Sequence, residues 1–569
     1  MNRKFTNIII FLKLGGLWPL LSNSSFLLLI MLPVALVFYR SLTTTRLGEY
    51  VGFTLANYAT AFTSPDILPL FLNTTTYALG SALFGTTLGA LLAWIVARTD
   101  TPGKVVVELL PLYPVLMPPL AKNIAWIILL APRSGVLNNL ARDWLGIEGE
   151  LFNAFSLPAM IWVFGLVLVP LSYLFMLPVF LRFDPSFEEA AYVAGSGPLK
   201  TSLRVTFPLV LPIFLSVLIL NLLRAIKSFT TPALQGIPGG IYVFITKVYD
   251  AVAISYNPGL GTAFSSLLVL VAVALVAVYI QLTKRSEKFS IITGRGYRVS
   301  RVSLGKWKYL TLAVVIFFFM AGILIPFAVL AIMAFIPYYS YETFVAFAHH
   351  FTLKNFLSVF SHPSFVSGFY NSLYLALLAA TICVLISTVM AFVIHRSRIA
   401  LTKAFEVFGT LPVAFPPMIL SLGILIMLIE TPFYQTPWAL LLALLVAYFP
   451  YALRNASGAL ISIHRDLDDA AWVHGARWRH VFARIVLPLL RGSMIAGFFY
   501  IFIEAMRNIE AVILLAAPGA EYGPVAIFEY FELGRWSEAA AGSVVYLVVL
   551  WSAMILARYV FKVKFGLGD

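Results

Sequence analysis

Apolar runs of about twenty residues, the length a helix needs to cross the hydrocarbon core of a bilayer, recur from one end of this sequence to the other. They fall near 17–39, 69–97, 105–130, 156–181, 208–234 and 259–282, and again near 308–336, 371–394, 404–429, 437–460, 488–516 and 539–562. Of the 569 residues 61% are hydrophobic and 11% charged, against about 45–50% and about 25% in an ordinary soluble domain. In lipid the backbone must satisfy its own hydrogen bonds, which leaves helices or closed barrels. Long continuous runs rather than short alternating ones select helices. The expected fold class is an all-α membrane protein with about 12 transmembrane helices.

A net charge of +14 raises the question of nucleic acid, and the distribution of that charge answers it. Lys and Arg concentrate in one alternate set of loops and at the chain ends, the asymmetry that orients membrane proteins with basic loops in the cytoplasm. A contiguous basic face with stacking aromatics outside the apolar spans, which nucleic-acid binding would need, is missing from the sequence. The most basic stretch, 283–308, carries Lys284, Arg285, Lys288, Arg295, Arg298, Arg301, Lys306 and Lys308 against one acid, Glu287. It is read as a cytoplasmic linker facing anionic headgroups, between a first unit at 1–282 and a second at 309–569. Arg3, Lys4 and Lys13 precede a first apolar run without a small-residue cleavage site, so an uncleaved span and cytoplasmic termini are expected. Cys383 is the single cysteine and lies in an apolar run, which rules out an intrachain disulfide or a Cys metal cluster. His349, His350 and His362 share one outward loop without a carboxylate cluster, so no metal site is expected.

The two sets of spans are related. Phe53-Thr54-Leu55-Ala56-Asn57 returns as Phe351-Thr352-Leu353-Lys354-Asn355, an offset of 298 that also pairs Pro65 with Pro363, Asn73 with Asn371 and Arg98 with Arg396. Further on, Pro170 pairs with Pro450 and Glu189 with Asp469 at an offset of 280. The lost residues lie in the longer loop around Ala131 to Phe155. Six spans per copy is an even number, so both copies insert in the same orientation. The chain therefore reads as two parallel six-helix repeats, in which corresponding loops face the same side.

The loop after the fourth span of each copy repeats one pattern. The first is Glu189-Ala190-Ala191-Tyr192-Val193-Ala194-Gly195 followed by Val205-Thr206-Phe207-Pro208. The second is Asp469-Ala470-Ala471-Trp472-Val473-His474-Gly475 followed by Ile485-Val486-Leu487-Pro488. Acidic residues suit a helix N-terminus, small Ala pairs let another surface come close, and Gly195 and Gly475 permit a sharp helix end. These loops resemble the E-A-A-x-x-x-G-x9-I-x-L-P loops of permeases from binding-protein-dependent ABC importers. The fused two-unit build resembles the ferric-ion uptake type. That resemblance implies a type I importer permease in a bacterial inner membrane. It also implies that each loop docks on a separate ATPase subunit, two copies in all, with Glu189 or Asp469 as the anchoring carboxylate. A periplasmic solute-binding protein would deliver the solute. No phosphate-binding G-x-x-x-x-G-K-[ST] loop, catalytic residue set or cofactor motif is present in the sequence, so hydrolysis is expected to come from the partner.

Charges inside a span are costly and usually face a cavity. The fifth span carries Arg224 and Lys227 and the eleventh Glu504, Arg507 and Glu510; the resemblance implies that these spans line the translocation path. The 280 offset sets Arg224 opposite Glu504 and Lys227 opposite Arg507. Leu234 to Gly240 and Ala516 to Ala520 read as outward Pro/Gly-rich turns. Ferric ion is the substrate the overall resemblance implies first; thiamine, polyamines, phosphonates or other small organic anions belong to sister permeases. Arg224, Lys227 and Arg507 outnumber the acids, which suits an anion or a chelated metal. A secondary transporter is the rival class, but its common G-x-x-x-D-[RK]-x-G signature is absent from Arg98-Thr99-Asp100-Thr101-Pro102-Gly103-Lys104.

Overall fold

Because lipid offers no hydrogen-bond partners, each apolar run closes its own i→i−4 ladder. The structure, a computed structural model, describes residues 17–43, 52–108, 117–182, 186–287, 303–396 and 401–562. Among them the only extended pairings are two isolated bridges, Thr43 with Phe53 and Ala517 with Ala520. The first repeat runs α1 (Leu17–Ser41), α2 (Ile67–Arg98), α3 (Pro119–Leu130), α4 (Leu157–Arg182), α5 (Ser186–Val193), α6 (Phe207–Lys227), α7 (Phe244–Tyr249) and α8 (Pro258–Glu287). The second runs α9 (Lys308–Phe319), continued through a π turn into α10 (Ile325–Ala334), then α11 (Pro363–Arg396), α12 (Leu401–Thr410) and α13 (Pro417–Leu428). It ends with α14 (Pro437–Ile461), α15 (Asp466–Val473), α16 (Leu487–Met506), α17 (Gly523–Glu532) and α18 (Trp536–Ile555). Ten helical segments among the described residues are long and apolar enough to cross a membrane, and up to twelve if each bent pair counts as one span.

The third span of each repeat departs from the expected straight helix. At 404–429 the chain bends by 106° between Ala404–Ala414 and Pro417–Leu428. Pro412, Pro416 and Pro417 supply the cause, since each lacks an amide donor and forces the preceding residue out of the α region; Pro416 itself is extended at φ −59°, ψ 134°. In the first repeat the run at 105–130 contains a short helix at Lys104–Glu108 and α3, with Pro118 extended in the same way; residues 109–116 lie outside the described residues. Residues 288–302 of the expected linker and the basic N-terminal segment lie outside them as well.

The fifth and eleventh spans are also shorter than expected, ending at Lys227 and Met506 rather than near 234 and 516. Beyond Lys227 the chain folds back: Pro232–Gly239 and Phe244–Ile254 form a pair bent by 80°. Ala233, Leu234 and Gln235 are buried, so only Pro238 to Gly240 of the expected outward turn reaches the surface. Apolar Leu234 belongs to the core, which the Pro and Gly content around it does not reveal. In the second repeat, Pro518 and Gly519 do form a surface turn.

The residues shared by the two repeats perform the same fastening twice. Asn57 donates to the carbonyls of Ser41 (3.1 Å) and Thr43 (2.8 Å), and Asn355 to those of Ala334 (3.0 Å) and Ile336 (2.6 Å). Each asparagine thereby satisfies carbonyls left open at the end of the preceding span. Asn73 donates to Tyr242 O (3.2 Å) and Asn371 to Glu521 O (3.0 Å), tying the returning segment to the second span. The repeats also interlock: α1 packs on α13 and α10 packs on α3. Gly423 is essential to the first contact, because a Cβ there would meet the Pro33 backbone. Just beyond the end of α2, Leu304 N–H donates to Asp100 (3.0 Å) and holds its carboxyl below the ordinary value.

Replacing Asn355 with Leu leaves two buried carbonyls without a donor and is expected to lower stability by about 1–3 kcal/mol. Equilibrium unfolding of the purified chain in mixed detergent micelles checks this, and unchanged stability would contradict the fastening.

Candidate functional site

The two loops that carry the repeated motif are built alike. Glu188 and Glu189 open α5, and Asp466, Asp468 and Asp469 open α15, where carboxylates meet the positive helix end. Each helix stops at a glycine in the left-handed region, Gly195 at φ +81° and Gly475 at φ +79°. Ser196 N–H returns to Ala191 O (3.0 Å) and Ala476 N–H to Ala471 O (3.0 Å), the pairing of a Schellman end. The chain then enters the next span through a π turn, Ser202–Thr206 or Phe482–Val486. Pro208 and Pro488 sit just beyond, and a ring without N–H favours this wider turn.

The carboxylates that hold these loops are not those the motif singles out. Glu189 and Asp469 are exposed. Their neighbours Glu188 and Asp468 are buried and form ion pairs with Arg98 and Arg396, the last residues of α2 and α11. All four side chains are almost completely excluded from water. Thr206 adds a hydrogen bond to Glu188 (2.6 Å), whereas Val486 stands at the matching position in the second repeat. Burial pushes the Asp468 carboxyl up from its ordinary value, with Arg396 pulling the other way. Sequence spacing contained a signal for these pairs: Arg98 and Arg396 share the 298 offset, and Glu188 and Asp468 share the 280 offset. With the carboxylates turned inward, the outer face of each loop presents Glu189, Ala190 and Val193, or Asp469, Ala470 and Val473. Val193 is 91% exposed and Val473 85%; Ala191 and Ala471 are half-buried beneath them, and Gly195 and Gly475 are exposed.

The five charged residues of the fifth and eleventh spans come together at the junction of the two repeats, with partners different from those the offset suggests. Glu504 pairs with Arg507 three residues on, within its own repeat. Glu510 lies past the end of α16, in the following turn, and accepts from Phe229 N–H of the first repeat (2.9 Å). Lys227 donates to Val413 O (2.7 Å), at the bend of the broken span in the second repeat. The helices stop early enough to free backbone groups, and these groups, rather than opposite charges, take the partners. Arg224 lies within electrostatic range of Lys227 and Glu510 and is exposed.

Three tyrosines complete this region and were not anticipated. Tyr448 OH donates to Glu504 O (2.9 Å) and accepts from Asn508 (2.6 Å). Tyr451 stacks near Tyr448 and Tyr500, with centroids 6.4 and 6.1 Å away. In sequence they are three aromatics among 26 Tyr and 47 Phe, and only their position beside the charges sets them apart. Among the described residues no group of three or more His, Cys, Asp or Glu is placed to hold a metal ion.

Residues 383–563 match the family model of the binding-protein-dependent transport system inner membrane component. A ferric transport system permease protein of Actinobacillus pleuropneumoniae is 23% identical over 493 residues, 84% of this chain and 68% of that one. An Fe(3+)-transport system permease protein of Haemophilus influenzae is 23% identical over 546 residues, 94% of this chain and 98% of that one. Among solved structures, a bacterial ABC transporter importing the acidic polysaccharide alginate covers 51% of this chain and 100% of its own, at TM-score 0.41 and 19% identity.

Replacing Arg98 with Met strands the buried Glu188 carboxylate and is expected to cost about 3–5 kcal/mol. Adding Glu188→Leu should recover much of that loss. Unfolding of the two variants, with hydrogen exchange across 186–195, checks this; a double variant as unstable as the single one would contradict it.

Proposed function

Starting from this chain's membership in the family of inner-membrane components of binding-protein-dependent transport systems, we propose that it imports ferric iron. A periplasmic binding protein delivers the solute, and a separate ATPase drives the cycle. The units at 1–282 and 309–569 act as the two halves of one permease, joined by a cytoplasmic linker, with both termini in the cytoplasm. Permeases of this family sit in the inner membrane and work with an ATPase and a binding protein.

The observation that carries the reading is the pair of loops. Each offers an exposed apolar and acidic face, and each is clamped from behind by a buried ion pair to the end of a long span. In this reading Glu189, Ala190, Ala191 and Gly195, with Asp469, Ala470, Ala471 and Gly475, form the docking surfaces, one ATPase copy on each. Arg98–Glu188 and Arg396–Asp468 carry the resulting displacement into α2 and α11. A rigid, water-excluded contact transmits force where a solvated loop would absorb it. Arg224, Lys227, Glu504, Arg507 and Glu510 line the path that opens and closes between the repeats. Similarity to ferric permeases over nearly the whole chain supports iron as the cargo.

The double variant Glu189→Lys/Asp469→Lys reverses charge at both docking faces without touching the buried pairs. It should insert and fold normally, lose co-purification with the ATPase, and lose ATP-driven uptake in vesicles. Normal uptake together with normal ATPase association would overturn the coupling role.

A further inference from the structure

The charged groups at the junction of the repeats are unequally occupied, and what remains unoccupied has one sign. Both acids are already engaged: Glu504 by Arg507, and Glu510 by the amide of Phe229. Lys227 is spent on the carbonyl of Val413. Arg224 is different. Among the described residues it makes no hydrogen bond or ion pair, and it stays exposed although it lies inside a span. Arg454, on α14, is likewise exposed and makes neither kind of contact among the described residues.

Arg224 lies near two phenols, and Arg454 lies near one of them. Tyr451 lies within electrostatic range of Arg224, Arg454 and Glu504, and Tyr500 within range of Arg224 and Glu504. The two rings are 6.1 Å apart yet keep 37% and 45% of their surface accessible. Neither hydroxyl has a hydrogen-bond partner among the described residues, unlike that of Tyr448. Tyr451, Arg454, Asn455 and Gly458 are all exposed and fall at the i, i+3, i+4 and i+7 positions of one helix face. That face runs toward the loop end of α14 at Ile461, about 15 Å along the axis from Tyr451. An arginine turned to lipid at such depth costs at least about 2.5–3.5 kcal/mol. Arg224 is instead within electrostatic range of Tyr451, Tyr500 and Glu510 of the opposite repeat, which puts it at the junction of the two.

The repeat itself does not call for these groups. At the 280 offset, Tyr451, Arg454 and Tyr500 correspond to Leu171, Leu174 and Leu220. The same helices pack with leucine at all three places in the first half. Polar side chains here are an addition on one side of the junction, which a purely structural role would not require.

We propose that Arg224, Arg454, Tyr451 and Tyr500 form a transient binding site for an oxyanion group on the cargo, midway along the path. Two guanidiniums offer the planar forked donors that match carboxylate, phosphate or sulfate oxygens, and two phenols add neutral donors that orient them. The inference rests on the permease reading and narrows its substrate class. The cargo crosses either as a free oxyanion or as ferric iron with oxyanion ligands attached, not as a bare cation.

The test titrates the full-length chain in lipid nanodiscs with inorganic phosphate, sulfate and ferric citrate, following heat of binding. At least one probe should bind saturably. Binding should weaken by about tenfold or more, the loss of one charge-assisted hydrogen bond, in Arg224→Gln and in Arg454→Gln. Arg224→Lys should retain part of the affinity, and Tyr451→Phe/Tyr500→Phe should lose affinity while leaving the charge intact. Saturation by phosphate or sulfate alone identifies a free oxyanion; saturation by ferric citrate alone identifies the liganded metal. The inference is overturned if no probe saturates the native chain, or if Arg224→Gln/Arg454→Gln binds as the native chain does. ATP-driven uptake by that double variant in vesicles with the ATPase and binding protein separates the two readings. Unchanged half-saturation there sinks the oxyanion site while leaving the permease intact, whereas failure of the native chain to take up any solute with ATP sinks the permease reading itself.

Discussion

A guanidinium that has left water must keep its carboxylate, and this structure places one such pair at the C-terminal end of the second span in each repeat. Arg98–Glu188 and Arg396–Asp468 are buried almost completely. Separating either would leave an uncompensated buried charge, so the loop and the span end move together or not at all. Everything the loops can do follows from that clamp. The Schellman ends at Gly195 and Gly475 set their shape, the inward-turned acids free the outer faces, and the π turns ahead of Pro208 and Pro488 lead directly into the next spans. Force applied to Val193 or Val473 reaches two spans through a contact without slack.

The repeats agree in their fastenings and differ at their junction. Asn57 and Asn355, and Asn73 and Asn371, do the same work at equivalent places. Around the fifth and eleventh spans the agreement stops. Asn221 binds Thr86 (2.9 Å) and Ser172 (2.7 Å) in the first half, a buried polar junction replaced by Ile501, Val384 and Ala452 in the second. Conversely, Tyr451, Arg454 and Tyr500 correspond to leucines in the first half. The two halves thus share their fastenings but not the side chains at their junction.

Much of this was legible in the residues. Apolar run length located the long spans, because burial in lipid leaves no other solution for the backbone, although the fifth and eleventh stop at Lys227 and Met506, well short of the ends their apolar runs suggest. The paired loop motif located α5 and α15 because glycine and proline dictate their ends. What escaped was set by tertiary packing. Pro416 and Pro417 were hidden inside a run apolar enough to read as one straight span. Leu234 was hidden in a Pro/Gly-rich stretch that folds back into the core. Between adjacent acids, spacing could not distinguish the buried Glu188 from the exposed Glu189, since only the position of Arg98 in space decides which one turns inward. The partners of Lys227 and Glu510 are backbone groups, which no pairing of side-chain charges could reveal.

The central claim is that the two loops move as rigid extensions of their repeats when an external ATPase closes. Spin labels at Val193→Cys and Val473→Cys, with the buried Cys383 replaced by Ala, report that motion as a distance across the cytoplasmic face. In vesicles containing the ATPase, the account predicts two discrete distances, one without nucleotide and one with ATP trapped before hydrolysis, interconverting in step with uptake. A single distance, unchanged by nucleotide while uptake proceeds, would contradict it.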